Sequence, residues 1–354
     1  MKTAIIVGIL VVLALILIGA AFFWYMSQQP LYKPGMVRAG KNLRAPLTPP
    51  TQPDNDHFWK VEEDIQIYHF SEGEGRNVLI VHGGPGYPYA EPWLGLAPLT
   101  SDYAFHYYDQ RGSGNSTRPI DTFASSNFYQ NATSLDRTLG IGAQLADIER
   151  IRHILGDEKL IIIGHSFGGF LASLYAAEFP EHVEALVLIA PAELLVMPQK
   201  EGGGLYEVIG ERLPEELREE YAAFLDNYLD FKNLFTRSED DLVALNQGFG
   251  KFYAAVTDIT SVPKQGEPGG WMTFAVFLSM GRRHDYRDAL ESARAPVLVI
   301  QGTDDLQTED ASRAYVDAFP NAEFEVIQNA GHFPFLDQPD DFAVSVGQFL
   351  AELD

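Results

Sequence analysis

The sequence predicts an α/β protein, a mostly parallel β-sheet flanked by helices with a helical cap inserted into it. Three observations predict it. Short apolar, β-branched runs alternate with helical stretches over residues 57–190 and again over 291–354. Between them, 191–290 reads as helices alone, broken at Gly202–Gly204 and Pro268–Gly270, as an insertion between two parts of one sheet would be. The third is Leu160–Gly169, which passes from a buried-strand run directly into Gly-His-Ser-Phe-Gly and then into a small, apolar helix reaching Glu178.

Taken in order, the chain opens on an apolar run, Thr3–Met26, with Lys2 before it and no charge inside. That run is long enough to cross a bilayer, so 1–26 is expected to be a transmembrane anchor. A cleaved signal peptide, with Ala20 and Ala21 near the cut, is the competing reading. Lys33, Arg38, Lys41 and Arg44 outnumber Lys2, which by the positive-inside rule would keep the domain in the cytoplasm. An N-terminal span before a single domain is nevertheless the pattern of a signal anchor, so a single-pass protein with an extracytoplasmic domain is the expectation. Residues 27–56, with Pro30, Pro34, Pro46, Pro49, Pro50 and Pro53, read as an extended tether.

Strands follow at Ile65–Tyr68, Asn77–Val81, Phe105–Tyr108, Leu160–Ile163 and Val183–Ile189, with a helix over Leu139–Leu155. In the cap, Pro214–Leu229 is a charged helix. After Pro296 the pattern resumes, with strands Val297–Ile300 and Glu323–Ile327 and helices Asp310–Phe319 and Pro339–Leu353.

Composition removes several function classes. A net charge of −24 leaves no basic surplus for phosphates, so nucleic acid is not an expected partner. With no cysteine there is no disulfide, no thiolate metal site and no thiol nucleophile. No cofactor and no metal are expected. An apolar content of 46% in 354 residues supplies a sizeable core.

The chemistry is carried by three residues in chain order. Ser166, flanked by Gly164 and Gly168, sits where a sharp strand-to-helix turn would lift its hydroxyl above the sheet. A serine hydroxyl needs a base, and the base an orienting carboxylate. Val297–Asp305 is a strand ending in a loop with two acids, and Ala330-Gly-His-Phe-Pro334 places His332 in a turn after the next strand. His332 is the base by elimination. His57, His69, His106, His153 and His182 precede the acid or lie on outer elements, His82 and His165 belong to other motifs, and His284 lies in the cap. Asp304 and Asp305 compete for the orienting role. The acid of such loops falls three residues past the strand-ending glycine, here Gly302, which places Asp305 ahead. Acyl transfer also needs two backbone donors for the developing oxyanion. The amide of Phe167 is one, and Gly84, in the glycine-rich loop after Val81, is the expected second.

His82-Gly-Gly-Pro-Gly86, Tyr108-Asp-Gln-Arg-Gly-Ser-Gly-Asn-Ser116 and the serine turn together resemble the proline iminopeptidase (prolyl aminopeptidase) family of α/β-hydrolases. The resemblance spans about residues 60–190 and 290–354 and implies an α/β-hydrolase fold. It implies Asp109 and Arg111 as buried polar groups that fix a loop near the site. It also implies cap carboxylates that recognise a substrate amine, with Glu201, Glu207, Glu211, Glu215, Glu216, Glu219 and Glu220 as candidates. Position 165 departs from the family, which has glycine there, and position 167 departs too, where the family has tryptophan. The expectation is a serine aminopeptidase acting on small peptides with N-terminal proline or a similar residue. A carboxylesterase or amidase taking small acyl substrates is the alternative, and a non-catalytic binding protein on this fold is a third.

Overall fold

Continuous apolar runs become strands buried on both faces. In the computed structural model, which describes residues 10, 13, 15–19, 25, 28–55, 57–199, 204–257 and 262–353, they assemble in sequence. The strands are β1 (Phe58–Glu62), β2 (Ile65–Glu72), β3 (Arg76–Val81), β4 (Tyr103–Tyr108), β5 (Leu160–His165), β6 (Val183–Ile189), β7 (Val196–Met197), β8 (His284–Asp285), β9 (Val297–Gly302) and β10 (Ala322–Ile327). Eight of them form one sheet in the order β1-β2-β4-β3-β5-β6-β9-β10. From β4 through β10 neighbouring strands run parallel, while β1 and β2 form an antiparallel edge.

Strand alternation divides the core in two. Leu79, Val81, Leu160 and Ile162 point to one face, packed with Leu171 and Tyr175. Val78, Ile80, Ile161 and Ile163 point to the other, packed with Phe342 and Val346. A parallel sheet must be covered on both sides, which is why these strands carry no polar alternation. The covering helices before the cap are α1 (Phe128–Leu139), α2 (Ile141–Leu155) and α3 (Phe167–Glu178). The expected helix over Leu139–Leu155 begins at Ile141, directly after a break at Gly140 that caps the end of α1 and the start of α2.

The insertion comprises α4 (Leu205–Arg212), α5 (Glu215–Tyr228), α6 (Glu239–Ala254) and α7 (Trp271–Met280). A capping box between Ser238 and Asp241 opens α6. The segment leaves the sheet after β6 and returns before β9, and β7 pairs with β8 to tie its two ends together. The closing helices are α8 (Arg287–Leu290), α9 (Glu309–Ala318), α10 (Pro334–Asp337) and α11 (Pro339–Ala351).

Of the two expectations about the N-terminus, the first goes largely undescribed and the second requires revision. The transmembrane run at 1–26 falls mainly outside the described residues, and among the described residues no helix is long and apolar enough to cross a membrane. The tether is not extended away from the domain. Tyr32 and Val37 are buried in the main core. The Glu178 carboxylate, at the end of α3, accepts hydrogen bonds from the Tyr32 hydroxyl at 2.9 Å and the amides of Gly35 and Arg38 at 2.8 and 3.0 Å. Arg150 donates to the carbonyls of Ala45 and Pro46, both at 2.9 Å. Proline-rich composition signals extension but not freedom, and here the segment coils into turns over residues 34–42 and finds partners along the sheet's covering helices.

Candidate active site

Ser166 ends β5 and begins α3 with φ 55 and ψ −121, a conformation an L-residue adopts only under constraint from its surroundings. The constraint comes from packing. A Cβ on Gly168 would lie 2.0 Å from the Val81 carbonyl oxygen, so the helix can start this close to β3 only with glycine there. The turn therefore carries its serine to the C-terminal edge of the sheet, where open α/β sheets present their ligand sites.

The acid and base loops meet at the same edge. A side chain on Gly302 would strike the carbonyls of Ala330 and Gly331, both at 2.3 Å, so the end of β9 lies directly against the His332 turn. His332 Nδ1 lies 3.1 and 3.0 Å from the two oxygens of Asp305. Carboxylates only accept, so Nδ1 is the donor to Asp305. Asp305 is buried and receives the Gln307 amide at 2.9 Å, whereas Asp304 is exposed. Among the described residues the Ser166 hydroxyl makes no hydrogen bond, a loose geometry common in unliganded hydrolases.

Behind this pair lies His165. Its Nε2 lies 2.7 Å from the His332 carbonyl oxygen, and its Nδ1 lies 2.6 Å from the Tyr89 hydroxyl. The carbonyl can only accept, so Nε2 donates and Nδ1 accepts from Tyr89. Burial, reinforced by neighbouring His332, holds the imidazole well below its usual pKa, which keeps it in this neutral form. The sequence had set His165 aside. Its signal was the imidazole at a position where the resemblance to proline iminopeptidases implies glycine.

The glycine-rich loop lies beside the serine. Gly84 is exposed, with φ +118, and turns over the Tyr87 ring. Gly83 is the buried glycine against the serine, since a Cβ there would lie 2.9 Å from Ser166 Cβ. The amides of Gly83, Gly84 and Phe167 make no hydrogen bond among the described residues. His82 locks this loop to its neighbour. Its Nε2 accepts from the Gln110 amide and its Nδ1 meets the Gly83 carbonyl, both at 3.0 Å. Burial pushes its pKa down to about 4, so it is neutral near pH 7.

Asp109 and Arg111 are both buried. Asp109 accepts from the Asn115 amide at 2.7 Å, and burial raises its carboxyl to about 6. Arg111 bridges Asp147 at 2.5 Å and Glu62 at 2.8 Å, and Arg150 joins the same two acids at 3.0 and 3.2 Å. Two cations and two anions thus cancel inside the domain beneath the loop.

The cap carboxylates fare differently. Glu207, Glu211, Glu215, Glu216, Glu219 and Glu220 are exposed, with Glu220 paired to Lys251 at 2.6 Å, and Glu201 lies outside the described residues. Cap and loop are joined instead by neutral contacts. Tyr87 donates to the Asn246 carbonyl at 2.6 Å, Thr273 to that of Pro85 at 3.0 Å, and the Gly269 amide to Gly86 at 2.8 Å.

A hydroxyl on a strained strand-to-helix turn and an acid–histidine pair, both at the C-terminal edge of an eight-stranded sheet, make a candidate hydrolase site. Residues 76–339 match the alpha/beta hydrolase fold family, and the chain belongs to it. Within that family it is similar to a proline iminopeptidase of Heyndrickxia coagulans, 26% identical over 303 residues, covering 81% of this chain and 94% of that protein. Among solved structures, the proline iminopeptidase of Mycobacterium smegmatis superposes with a TM-score of 0.52 at 19% identity, covering 82% of this chain and 96% of that one. An esterase of Thermogutta terrifontis gives 0.52 at 20% identity, covering 82% and 94%. Such structural likeness establishes the shared fold.

Proposed function

We propose that the chain is a serine aminopeptidase that releases N-terminal proline, or a similar small residue, from short peptides. The observation that carries the reading is the His332–Asp305 pair at 3.0 Å, at the same end of the sheet as a serine held at φ 55 with unspent amides around it. Ser166 Oγ attacks the substrate carbonyl and forms the C–O bond while His332 Nε2 takes the hydroxyl proton. Asp305 holds the resulting imidazolium in place. The amide of Phe167 and the Gly83–Gly84 turn receive the oxyanion. His332 then gives its proton to the leaving nitrogen as the C–N bond breaks, and water repeats the sequence on the acyl-enzyme to free the carboxylate.

The peptide preference draws on the similarity to proline iminopeptidases over most of the chain. One observation favours a second reading, a carboxylesterase using the same residues. The described cap acids expected to recognise an amine are solvent-exposed helix positions. Hydrolysis of prolyl and other aminoacyl arylamides against para-nitrophenyl esters, with Ser166→Ala as control, separates the two. Turnover of arylamides supports the aminopeptidase, and turnover of esters alone removes it.

The proposal includes a membrane anchor in the apolar run Thr3–Met26, with the hydrolase domain on the extracytoplasmic side. Fractionation with protease accessibility tests both. A protein recovered without membrane, or protected from externally added protease in intact cells, contradicts this part.

A further inference from the structure

The cleft beside His332 carries two charges that the proposed reaction leaves unused. Between cap and core lies a cavity of about 640 Å³, lined on the cap side by Arg212 and Tyr253 and on the core side by Asp304, Leu306, Asn329 and His332. Arg212 is the last residue of α4. Its guanidinium makes no hydrogen bond or ion pair among the described residues, and neither does the carboxylate of Asp304. Asp337, the other acid of the cleft, is engaged by the Gly331 amide at 2.8 Å. An exposed arginine at a helix end is ordinarily only solvated. This one stands on the wall of the space that the proposed base also faces.

We infer that this cleft is the leaving-group subsite, and that Arg212 receives a free carboxylate carried by the leaving group, the C-terminal carboxylate of a dipeptide. The inference rests on the reading of Ser166 and His332 as the reacting pair. His332 must face the leaving nitrogen to protonate it, so the residue beyond the scissile bond extends into the cavity this histidine lines. A guanidinium fork matches a carboxylate in geometry as well as charge. The amino acid released is a zwitterion. Its carboxylate meets Arg212, while the neutral amine released as the C–N bond breaks takes a further proton from water and, as the ammonium, meets Asp304. A longer peptide places a neutral amide at Arg212 and forfeits that contact, so the cleft selects dipeptides.

The test compares kcat/KM for prolyl-alanine with its C-terminal amide, in the unaltered full-length protein, Arg212→Gln and Arg212→Lys. A parallel pair of esters, para-carboxyphenyl acetate and para-carbamoylphenyl acetate, places the same charge difference in a leaving group without any peptide bond. The free carboxylate is expected to be preferred by about tenfold. In R212Q the ratio should fall towards one, and R212K should keep part of it. A preference absent from the unaltered protein, or unchanged in R212Q, overturns the inference. If neither peptide turns over but the esters do, the aminopeptidase reading fails, and the ester pair alone decides the subsite. Loss of turnover on all four compounds overturns both.

Discussion

His165 Nε2 donates to the carbonyl oxygen of His332 at 2.7 Å, so the residue before the serine fixes the backbone of the residue proposed as its base. The bond links the end of β5 to a turn far away in sequence, and Tyr89, with a hydroxyl 2.6 Å from the other ring nitrogen, sets the direction of the chain of hydrogen bonds. His165→Ala should lower kcat by about 10- to 100-fold with a much smaller change in KM, because it loosens the placement of His332 without touching substrate. It should also cost about 2 kcal/mol of stability by leaving the Tyr89 hydroxyl without a partner. Steady-state kinetics with a denaturant titration measure both. A variant with full kcat would show that His332 is held by other means.

Gly83→Ala probes the approach of the loop to the serine. The added methyl would lie 2.9 Å from Ser166 Cβ and 3.0 Å from the His165 carbonyl oxygen. Turnover should fall at least about a hundredfold, the scale of losing one oxyanion donor. Folding, followed by circular dichroism, should be retained.

His82 gives the pH dependence a sign. Its folded pKa of about 4 lies below the unfolded value of 6.5, so between those values the unfolded chain binds more protons. Its contribution to stability is complete above pH 6.5 and is lost as pH falls towards 4. Up to roughly 3 kcal/mol is at stake. Protonation also removes the acceptor that the Gln110 amide uses. Unfolding free energies measured across this range should fall with pH, and His82→Gln should flatten the slope. An equal slope in the variant would assign it to other groups.

The proline-rich strap supplies a stability prediction. A chain starting at Thr51 loses Tyr32 and Val37 from the core and leaves the Glu178 carboxylate without the donors it now holds. It should be about 3 kcal/mol or more less stable than one starting at Gln28. Thermal melting of the two chains compares them directly, and equal midpoints would mean that the strap's contacts contribute nothing.

Legibility followed the range of each signal. Ser166 and the glycines around it were readable because the motif is local and each glycine answers a close approach of neighbouring backbone. The Val297–Gly302 strand and the turn at His332 were readable for the same reason, while choosing Asp305 over Asp304 needed the register of the loop. The strap was not legible, because Glu178 takes its partners from residues more than a hundred positions away, and composition says nothing of such pairings. β1 was missed since Phe58–Glu62 is short and borders the proline-rich stretch. Gly83 and Gly84 are indistinguishable as letters. Only the direction of the backbone separates the buried one from the exposed one. The cap acids looked abundant in the sequence, and the fold turns those that are described towards solvent.

Covalent labelling tests most directly whether Ser166 is the nucleophile. After reaction with a fluorophosphonate, peptide mapping by mass spectrometry should find one phosphonyl group, on the peptide containing Ser166, with turnover lost in proportion to labelling. In His332→Ala the labelling should slow by orders of magnitude. Label on a different residue, or full turnover in a chain fully labelled at Ser166, would contradict the account.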